Sequence, residues 1–441
     1  MNTRCKRIRM ALAIVVIAAG CTCSTAQEQR SPEGTPNPAA SIESLNIPGG
    51  DAALPPLSDS VIDVKSPFRE ILWHHGIALR MINTMRYAQN TFHAPVPEDE
   101  QVYVGQHPFE GEMINPILTW DLRQLGLKHA QLDLSGVWQW VSWEPAGPKA
   151  FGLWTLYIYK EFGRDRVEVK IGYDSNDIEF VGMQVGGSTA SGVQGVYAVL
   201  PYEVGMAFFP LPAPQFNLKL NTSRRTYLKF GLQRSLDAAG GPATEARNHT
   251  GLRFDPKGDK LLTIGEAGLR RPSSVSERAI WFRAGYMHNT TRFLNFASGR
   301  YEPGNHGAFA LIDGQLTKSN FEHLERGLYI GASAMTAASH FNAYDRYYEA
   351  RLYKLAPFTS RPLDVASLVS TYTGFSKSLT DSLVASGASV WRKSASVTGS
   401  YNFHLAPGNY LSLGLSYVHG PAIKPRVPDA FTFAAVYTVF F

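Results

Sequence analysis

The chain ends in a segment whose side chains alternate between two kinds. In "FTFAAVYTVFF" one set of alternate positions is apolar and largely aromatic, consisting of Phe431, Phe433, Ala435, Tyr437, Val439 and Phe441. The positions between them are small or hydroxylated. Because successive side chains of a strand point to opposite faces, this strand has one apolar, aromatic face. This form is typical of the last strand of a bacterial outer-membrane barrel. The alternative interpretation is a core strand of a soluble sheet.

The amino terminus has the features of a secretory signal. Four basic residues lie among the first nine, an apolar run follows over residues 10–20, and residues 24–26 are small enough for cleavage. We therefore predict a signal peptide over residues 1–26. The apolar run is too short to cross a bilayer as a helix, which takes about 20 residues. A competing cleavage before Cys21, with lipidation of that cysteine, stays open.

The composition excludes several functions once the signal is set aside. The chain carries a formal net charge of +5, of which the predicted signal supplies four, so the mature protein is near +1. Nucleic acid is therefore not an expected partner. All three cysteines, Cys5, Cys21 and Cys23, lie within the signal, so we expect no disulfide, zinc site or cysteine nucleophile in the mature protein.

Residues 27–66 are rich in Pro, Ser, Gly and Ala and predict a disordered periplasmic lead-in. The segment "SPFREILWHH" then predicts a short helix, with Ser66 as the cap, Pro67 in the first turn and Gly76 ending it. From residue 77 the hydrophobic period changes to two, which indicates strands. This alternation recurs over residues 77–87, 131–140, 167–174, 227–233, 280–286, 391–403 and 411–417.

Counting weaker segments, the pattern predicts an all-β fold, a transmembrane antiparallel barrel of about 16 strands, with 18 as the alternative. We expect residues 67–441 to form this single barrel, because no linker divides them. A barrel of 16 to 18 strands encloses water, whereas eight strands are filled by side chains. A receptor with a folded plug and 22 strands would not fit the available length.

Four stretches carry a family resemblance. They are "FREILWHHGIALRMINTMRYAQN", "LTWDLRQLGLKHAQLDLSGV", "LWTLYIYKEFGRDRVEVKIGYDSNDIEF", and the run from "RPLDVASLVSTYTGFS" to the last residue. Their order and spacing resemble the carbohydrate-selective outer-membrane porin family, often called OprB-like. Thr155 departs from the pattern, where such porins tend to carry an acidic residue, and residues 193–223 match poorly.

The resemblance implies facilitated diffusion of small solutes, chiefly monosaccharides, across the bacterial outer membrane. A general porin, or a barrel with an enzymatic or structural role, is the alternative. The expected partners are sugars or other small hydrophilic solutes and outer-membrane lipid, and both a homotrimer and a monomer stay open.

No motif in the sequence predicts catalysis or a cofactor. The Gly-x-Ser-x-Gly elbow, the phosphate-binding loop and the His-Glu-x-x-His helix are all missing from the sequence. "DSNDIEF" resembles a calcium loop, but Glu179 stands where a glycine turn is needed, so we interpret it as a solvated hairpin turn. His74 and His75 are neighbours on a short helix and are a poor metal pair. We expect no enzyme activity, no cofactor and no metal.

A sugar channel needs polar groups that guide hydroxylated rings without trapping them. The strand register predicts which polar and aromatic side chains point inward. The pore-lining candidates are Arg80, Arg86, Tyr157, Glu161, Glu168, Lys170, Lys229, Arg283, Glu349, Arg351 and Tyr353. Their mixed signs argue against a strongly ion-selective hole. The register further suggests that Arg80 and Arg86 could face carboxylates such as Glu349 across the lumen. The alternative is that these groups only hydrate the wall.

Overall fold

The alternating segments form a closed antiparallel barrel of sixteen strands. The computed structural model describes residues 54–62, 66–147, 151–163, 165–181, 199–319, 323–423 and 427–441. The predicted signal peptide, including Cys21, lies outside the described residues. In chain order the barrel strands, together with the small hairpin of β10 and β11, are β1 Ile77–Asn90, β2 Phe109–Asp121, β3 Ala130–Val141, β4 Phe151–Phe162, β5 Val167–Asp174, β6 Ala213–Asn221, β7 Thr226–Arg234, β8 Leu261–Arg271, β9 Ile280–Asn289, β10 Phe293–Leu294, β11 Tyr301–Glu302, β12 Asn305–Gln315, β13 Gly327–Ala337, β14 Tyr344–Leu355, β15 Val365–Phe375, β16 Lys393–Ala406, β17 Asn409–His419 and β18 Ala430–Phe440.

Helices are few and short. They are α1 Pro67–His74, α2 Val199–Glu203, α3 Gly241–Arg247 and α4 Lys377–Ala385. The described residues also include three 3₁₀ turns, Glu98–Glu100, Leu122–Leu125 and Glu144–Ala146, and one π-helical turn, Asp177–Val181. In the described part of the chain no helix combines the length and the apolar character that crossing a membrane requires.

The barrel closes where the first strand meets the last. β1 and β18 pair antiparallel, with Ile82 opposite Phe440 and Thr84 opposite Thr438. Phe441 extends the seam, because its N–H donates to the Met81 carbonyl at 2.9 Å. Both chain ends of the barrel therefore lie at one end of it, which we call the terminal end. Outer-membrane barrels have short periplasmic turns and longer extracellular loops. The two-residue connection 407–408 lies at the terminal end, and the 38-residue connection 175–212 at the other.

Burial follows the predicted alternation. The outer face carries exposed apolar side chains, which include Met85, Leu134, Trp138, Ile171, Phe230, Phe282, Ile330, Leu368 and Leu415. The residues between them point inward and are mostly buried and polar, as Arg80, Thr84 and Asp133 illustrate. An apolar outer face around a polar inner face is typical of outer-membrane barrels, whose outward side chains contact lipid.

Helix α1 forms where the sequence predicts it. Ser66 caps it by accepting from the Arg69 N–H, Pro67 occupies its first turn, and Gly76 after it has φ +70°, a conformation that glycine adopts without strain. Phe68 and Ile71 are exposed on this helix, whereas Arg69 is buried. Phe68 and Ile71 thus point away from the barrel, whereas Trp73 packs against Leu57 and Ala78.

Residues 54–62 belong to the expected lead-in of residues 27–66, and they pack against the barrel; residues 27–53 and 63–65 lie outside the described part. We call residues 54–62 the N-terminal strap. Leu54 packs inside the terminal end against Ile82, Met113 and Ile117. Asp59 accepts hydrogen bonds from the Gly408 N–H at 2.9 Å and from the Tyr410 hydroxyl, and lies 2.9 Å from His404 Nε2.

Candidate functional site

The eleven candidate side chains all lie on the inner face of the barrel. On the same strands the intervening residues are exposed and apolar, as Met81, Ile158, Leu228, Phe282 and Leu352 show. Most of the candidates are buried within the barrel, and Arg86, Glu161 and Glu168 are partly exposed. Their role in permeation stays a prediction.

One ion network joins three neighbouring strands, β12 to β14. The Arg351 guanidinium donates to Asp313 Oδ2 at 2.9 Å, to Ser333 Oγ at 2.6 Å and to Glu349. Tyr353 donates to Asp313 Oδ1 at 3.2 Å. The side chains of Arg351 and Glu349 are fully buried, so each charge is offset by its partners rather than by water. The structure therefore brings three candidates together around Asp313.

Sequence reasoning missed Asp313, the residue that completes this network. Asp313 lies on the inner face of β12, opposite Gly331 of β13. Because Gly331 has no side chain, the Arg351 guanidinium has room beside Asp313. The alternation in "FALIDGQ" does not identify it, because the residues that share its face, Phe309 and Leu311, are apolar. Its pairing with Arg351 depends on the register of three strands, which the alternation does not give.

A second ion network joins another part of the wall, β5 to β7, to a loop. Lys170 Nζ lies 2.9 Å from Glu179 Oε2 and 3.1 Å from Asp174 Oδ2, and Lys229 Nζ lies 3.2 Å from Glu179 Oε1. Lys170 also lies over the Tyr157 ring, with its nitrogen 4.6 Å from the ring centre. Two inward lysines thus hold one loop carboxylate, and all of these side chains are buried.

Glu179 belongs to a loop that enters the barrel. We call residues 175–212 the inner loop; residues 182–198 of it lie outside the described part. Phe180, Val181 and Met206 are completely buried, which stabilises the loop by about 1.5–3 kcal/mol for each side chain. Polar bonds fix it to the wall: Asn176 donates to Gln233 at 2.9 Å, and Asn289 donates to the Val204 carbonyl at 2.6 Å.

The interpretation of "DSNDIEF" as a solvated hairpin turn is wrong. Ser175 and Asn176 are fully buried and Asp177 is 2% exposed, because this segment leads the chain into the barrel instead of turning it back to β6. The sequence gives little indication that this segment is buried, because a loop of polar residues is solvated in most proteins. Among the described residues no group of three His, Cys, Asp or Glu side chains is arranged to hold a metal ion.

The remaining candidates have separate surroundings. Arg80 donates to the Pro55 carbonyl of the N-terminal strap at 2.8 Å. The Arg283 guanidinium lies over the Trp281 ring, 3.8 Å from its centre. Glu161 and Glu168 both accept from the Tyr159 hydroxyl, at 2.8 and 3.0 Å.

The suggestion that Arg80 faces Glu349 is wrong. Arg80 is engaged by the strap, whereas Glu349 accepts from Arg351 and from the Tyr347 hydroxyl. The strap lies outside the periodic strands, so the strand register could not place its carbonyl groups beside Arg80. Arg86, the second arginine of β1, is partly exposed.

The inner loop also contains a titratable group whose state affects its docking. Glu203, at the end of α2, accepts the Tyr344 N–H at 2.9 Å. Burial, together with the smaller effect of the neighbouring Asp345 charge, raises the pKa of Glu203 from 4.5 to about 8. The protonated form therefore dominates below pH 8, and the docked loop favours it.

Raising the pH is expected to weaken docking of the inner loop. Because the folded pKa lies above the ordinary value, this contribution is complete below pH 4.5 and is lost as the pH rises through about 8. Limited proteolysis of the reconstituted protein should cut the loop faster at pH 9 than at pH 6. Glu203→Gln should remove most of that difference, and an unchanged pH dependence in this variant would contradict the assignment.

Comparison with known proteins agrees with this architecture. The high-pH structure of Pseudomonas putida OprB is similar with a TM-score of 0.73 at 15% identity, covering 87% of this chain and 98% of that one. The low-pH structure of the same protein has a TM-score of 0.55 at 13% identity, covering 87% and 99%. No curated protein matches the sequence.

The family comparison covers more than half of the chain. The model described as "Carbohydrate-selective porin, OprB family" matches residues 143–441, which include the inner loop, both ion networks and the last strand. The two structural likenesses establish the fold, and this match establishes the lineage. The chain belongs to the OprB family of carbohydrate-selective porins.

Proposed function

We propose that this protein is an outer-membrane channel through which monosaccharides diffuse down their concentration gradient. The observation that carries the proposal is a closed sixteen-strand barrel with a polar inner face, narrowed by a loop that is fixed inside it. Membership of the carbohydrate-selective family supports the solute class. The chain is a transport channel rather than an enzyme.

The two ion networks bear on whether the channel prefers anions or cations. Lys170, Lys229 and Arg351 are each paired with carboxylates, so opposite charges lie close together on both walls. Paired charges produce a small net field, which leaves little preference for anions or cations. A neutral, hydroxylated solute meets no strong field and forms hydrogen bonds that exchange easily, as passage without trapping requires.

Reconstituted protein should test this proposal directly. We expect discrete conductance in planar bilayers, a reduction of that current by added monosaccharide, and faster liposome swelling with glucose than with amino acids of equal size. Swelling that depends on solute size alone would favour a general porin. Insertion without conductance would favour a structural barrel.

Arg86 provides a residue-level test of the same proposal. A guanidinium offers five donors in a fixed plane and can bridge adjacent sugar hydroxyls. We expect Arg86→Ala to weaken the sugar block of the ion current by about 1–2 kcal/mol, the value of a lost charge-assisted bond. Arg346→Ala is the control, because Arg346 is exposed on the outer face of β14. An equal block in Arg86→Ala and wild type would show that Arg86 does not bind sugar.

A further inference from the structure

The wall formed by β15, β16 and β17 differs from the rest of the inner face. Many of its inward side chains are small and hydroxylated, and three pairs of them bond across the strands. The pairs are Ser367 with Ser400 at 2.6 Å, Thr371 with Ser396 at 2.6 Å, and Thr398 with Ser416 at 2.8 Å. We call these six residues the hydroxyl wall. Exposed Leu368, Val397 and Leu415 mark the opposite, outer face of the same strands.

Part of the hydroxyl wall is open to water. Ser396, Thr398 and Ser400 are partly exposed, although they point into the barrel. In the strand order β16 lies directly across the barrel from β6. The neighbours of β6 are β5 and β7, which carry Lys170 and Lys229, the two lysines that hold the inner loop. The described residues of the inner loop bond to β5, β7, β9 and β14, whereas the hydroxyl wall lies on β15 to β17.

A second observation on the same face points to a ligand. Asn402 follows Ser400 on the inner face of β16 and is 2% exposed. Neither its amide nitrogen nor its oxygen has a hydrogen-bond partner among the described residues. A buried amide without partners is unfavourable, so such a group in a folded protein calls for an explanation. A polyol bound at Ser400 would bring both donors and acceptors beside this amide.

We infer that the hydroxyl wall, continued by Asn402, is the surface along which polyhydroxylated solutes move; this inference rests on the proposed function. Every hydroxyl on the wall can donate and accept, and so can every hydroxyl of a sugar, so wall and solute can exchange partners in either sense. The wall carries no charge that would hold an ion. Its side chains are short, so they leave most of the width of the passage free for the solute.

The experiment removes hydroxyl groups while nearly preserving volume. The test variant combines Ser396→Ala, Thr398→Val and Ser400→Ala, and a second variant is Asn402→Leu. The control combines Ser370→Ala and Thr336→Val, which remove two exposed hydroxyls from the outer face. Liposome swelling is measured with glucose and with an ethylene glycol oligomer of the same size, which has ether oxygens but few donors. Ion conductance reports the width of the pore.

We expect the triple variant to lower the glucose rate relative to the ether rate by about fivefold, the effect of losing one net hydrogen bond. Asn402→Leu should lower the same ratio, and conductance and the control should be unchanged. An unaltered ratio in both test variants, with wild type preferring glucose, would overturn the inference and leave the proposed function standing. A wild type without glucose preference would instead contradict the proposed function. If the triple variant does not assemble, Asn402→Leu alone decides the inference.

Discussion

Glu179→Gln should release the inner loop and produce the largest change in conductance of any single substitution in this protein. Glu179 is the shared partner of Lys170 and Lys229, and all three side chains are buried. Removing one partner of a buried ion pair costs about 3–5 kcal/mol, because the remaining charges are left uncompensated. The variant should therefore show higher and noisier single-channel current, and sugar should reduce that current less than in wild type.

Glu277→Gln is the matched control for this experiment. Glu277 also pairs with an arginine at 2.9 Å, but both partners are substantially exposed, and a surface pair contributes about 0–1 kcal/mol. Its variant should conduct like wild type. If Glu179→Gln conducts like wild type as well, the loop is held by its apolar contacts rather than by the two lysines.

Arg351→Met should have the largest effect on barrel stability. The substitution leaves the Asp313 and Glu349 carboxylates buried without a cation, which we expect to lower the free energy of unfolding by about 3–5 kcal/mol. Urea unfolding in lipid vesicles, followed by the shift between the folded and unfolded bands on gels, measures this change. The control is Arg346→Met on the same strand, whose side chain is half exposed.

A triple variant separates charge from packing in this network. Arg351→Met combined with Asp313→Leu and Glu349→Leu removes all three charges and keeps the volume similar. Replacing a whole buried ion group by apolar residues is often neutral or stabilising, so this variant should recover most of the lost stability. If it is as unstable as Arg351→Met, shape rather than charge balance determines the stability of this wall.

The strands were predictable because their signal is local. Lipid on one side and polar groups on the other force a period of two into each strand, and each strand shows it without reference to its neighbours. The closing strand β18 and the first strand β1 could therefore be located from the sequence, and helix α1 from its cap. The inward face of Lys170, Lys229 and Arg351 followed from the same period.

The inner loop and the strap could not be predicted in this way. Their positions depend on contacts between residues far apart in the chain, such as Asn289 with Val204 and Arg80 with Pro55. Neither segment has a hydrophobic period, because each packs irregularly against an existing wall. The partners of the predicted charges, Glu179 and Asp313, were missed for the same reason: register and packing, not alternation, decide which inward groups meet.

The N-terminal strap binds to strands that lie at the other end of the sequence. Asp59 bonds to Gly408 and Tyr410, 349 and 351 residues later, and the Val61 N–H donates to the Phe440 carbonyl at 2.8 Å. These donors and acceptors lie on β17, on β18 and in the turn between β16 and β17, so the strap has a complete binding surface only in the closed barrel. The strap is the first of the described segments to be synthesised, and we expect it to dock last, after the barrel has closed.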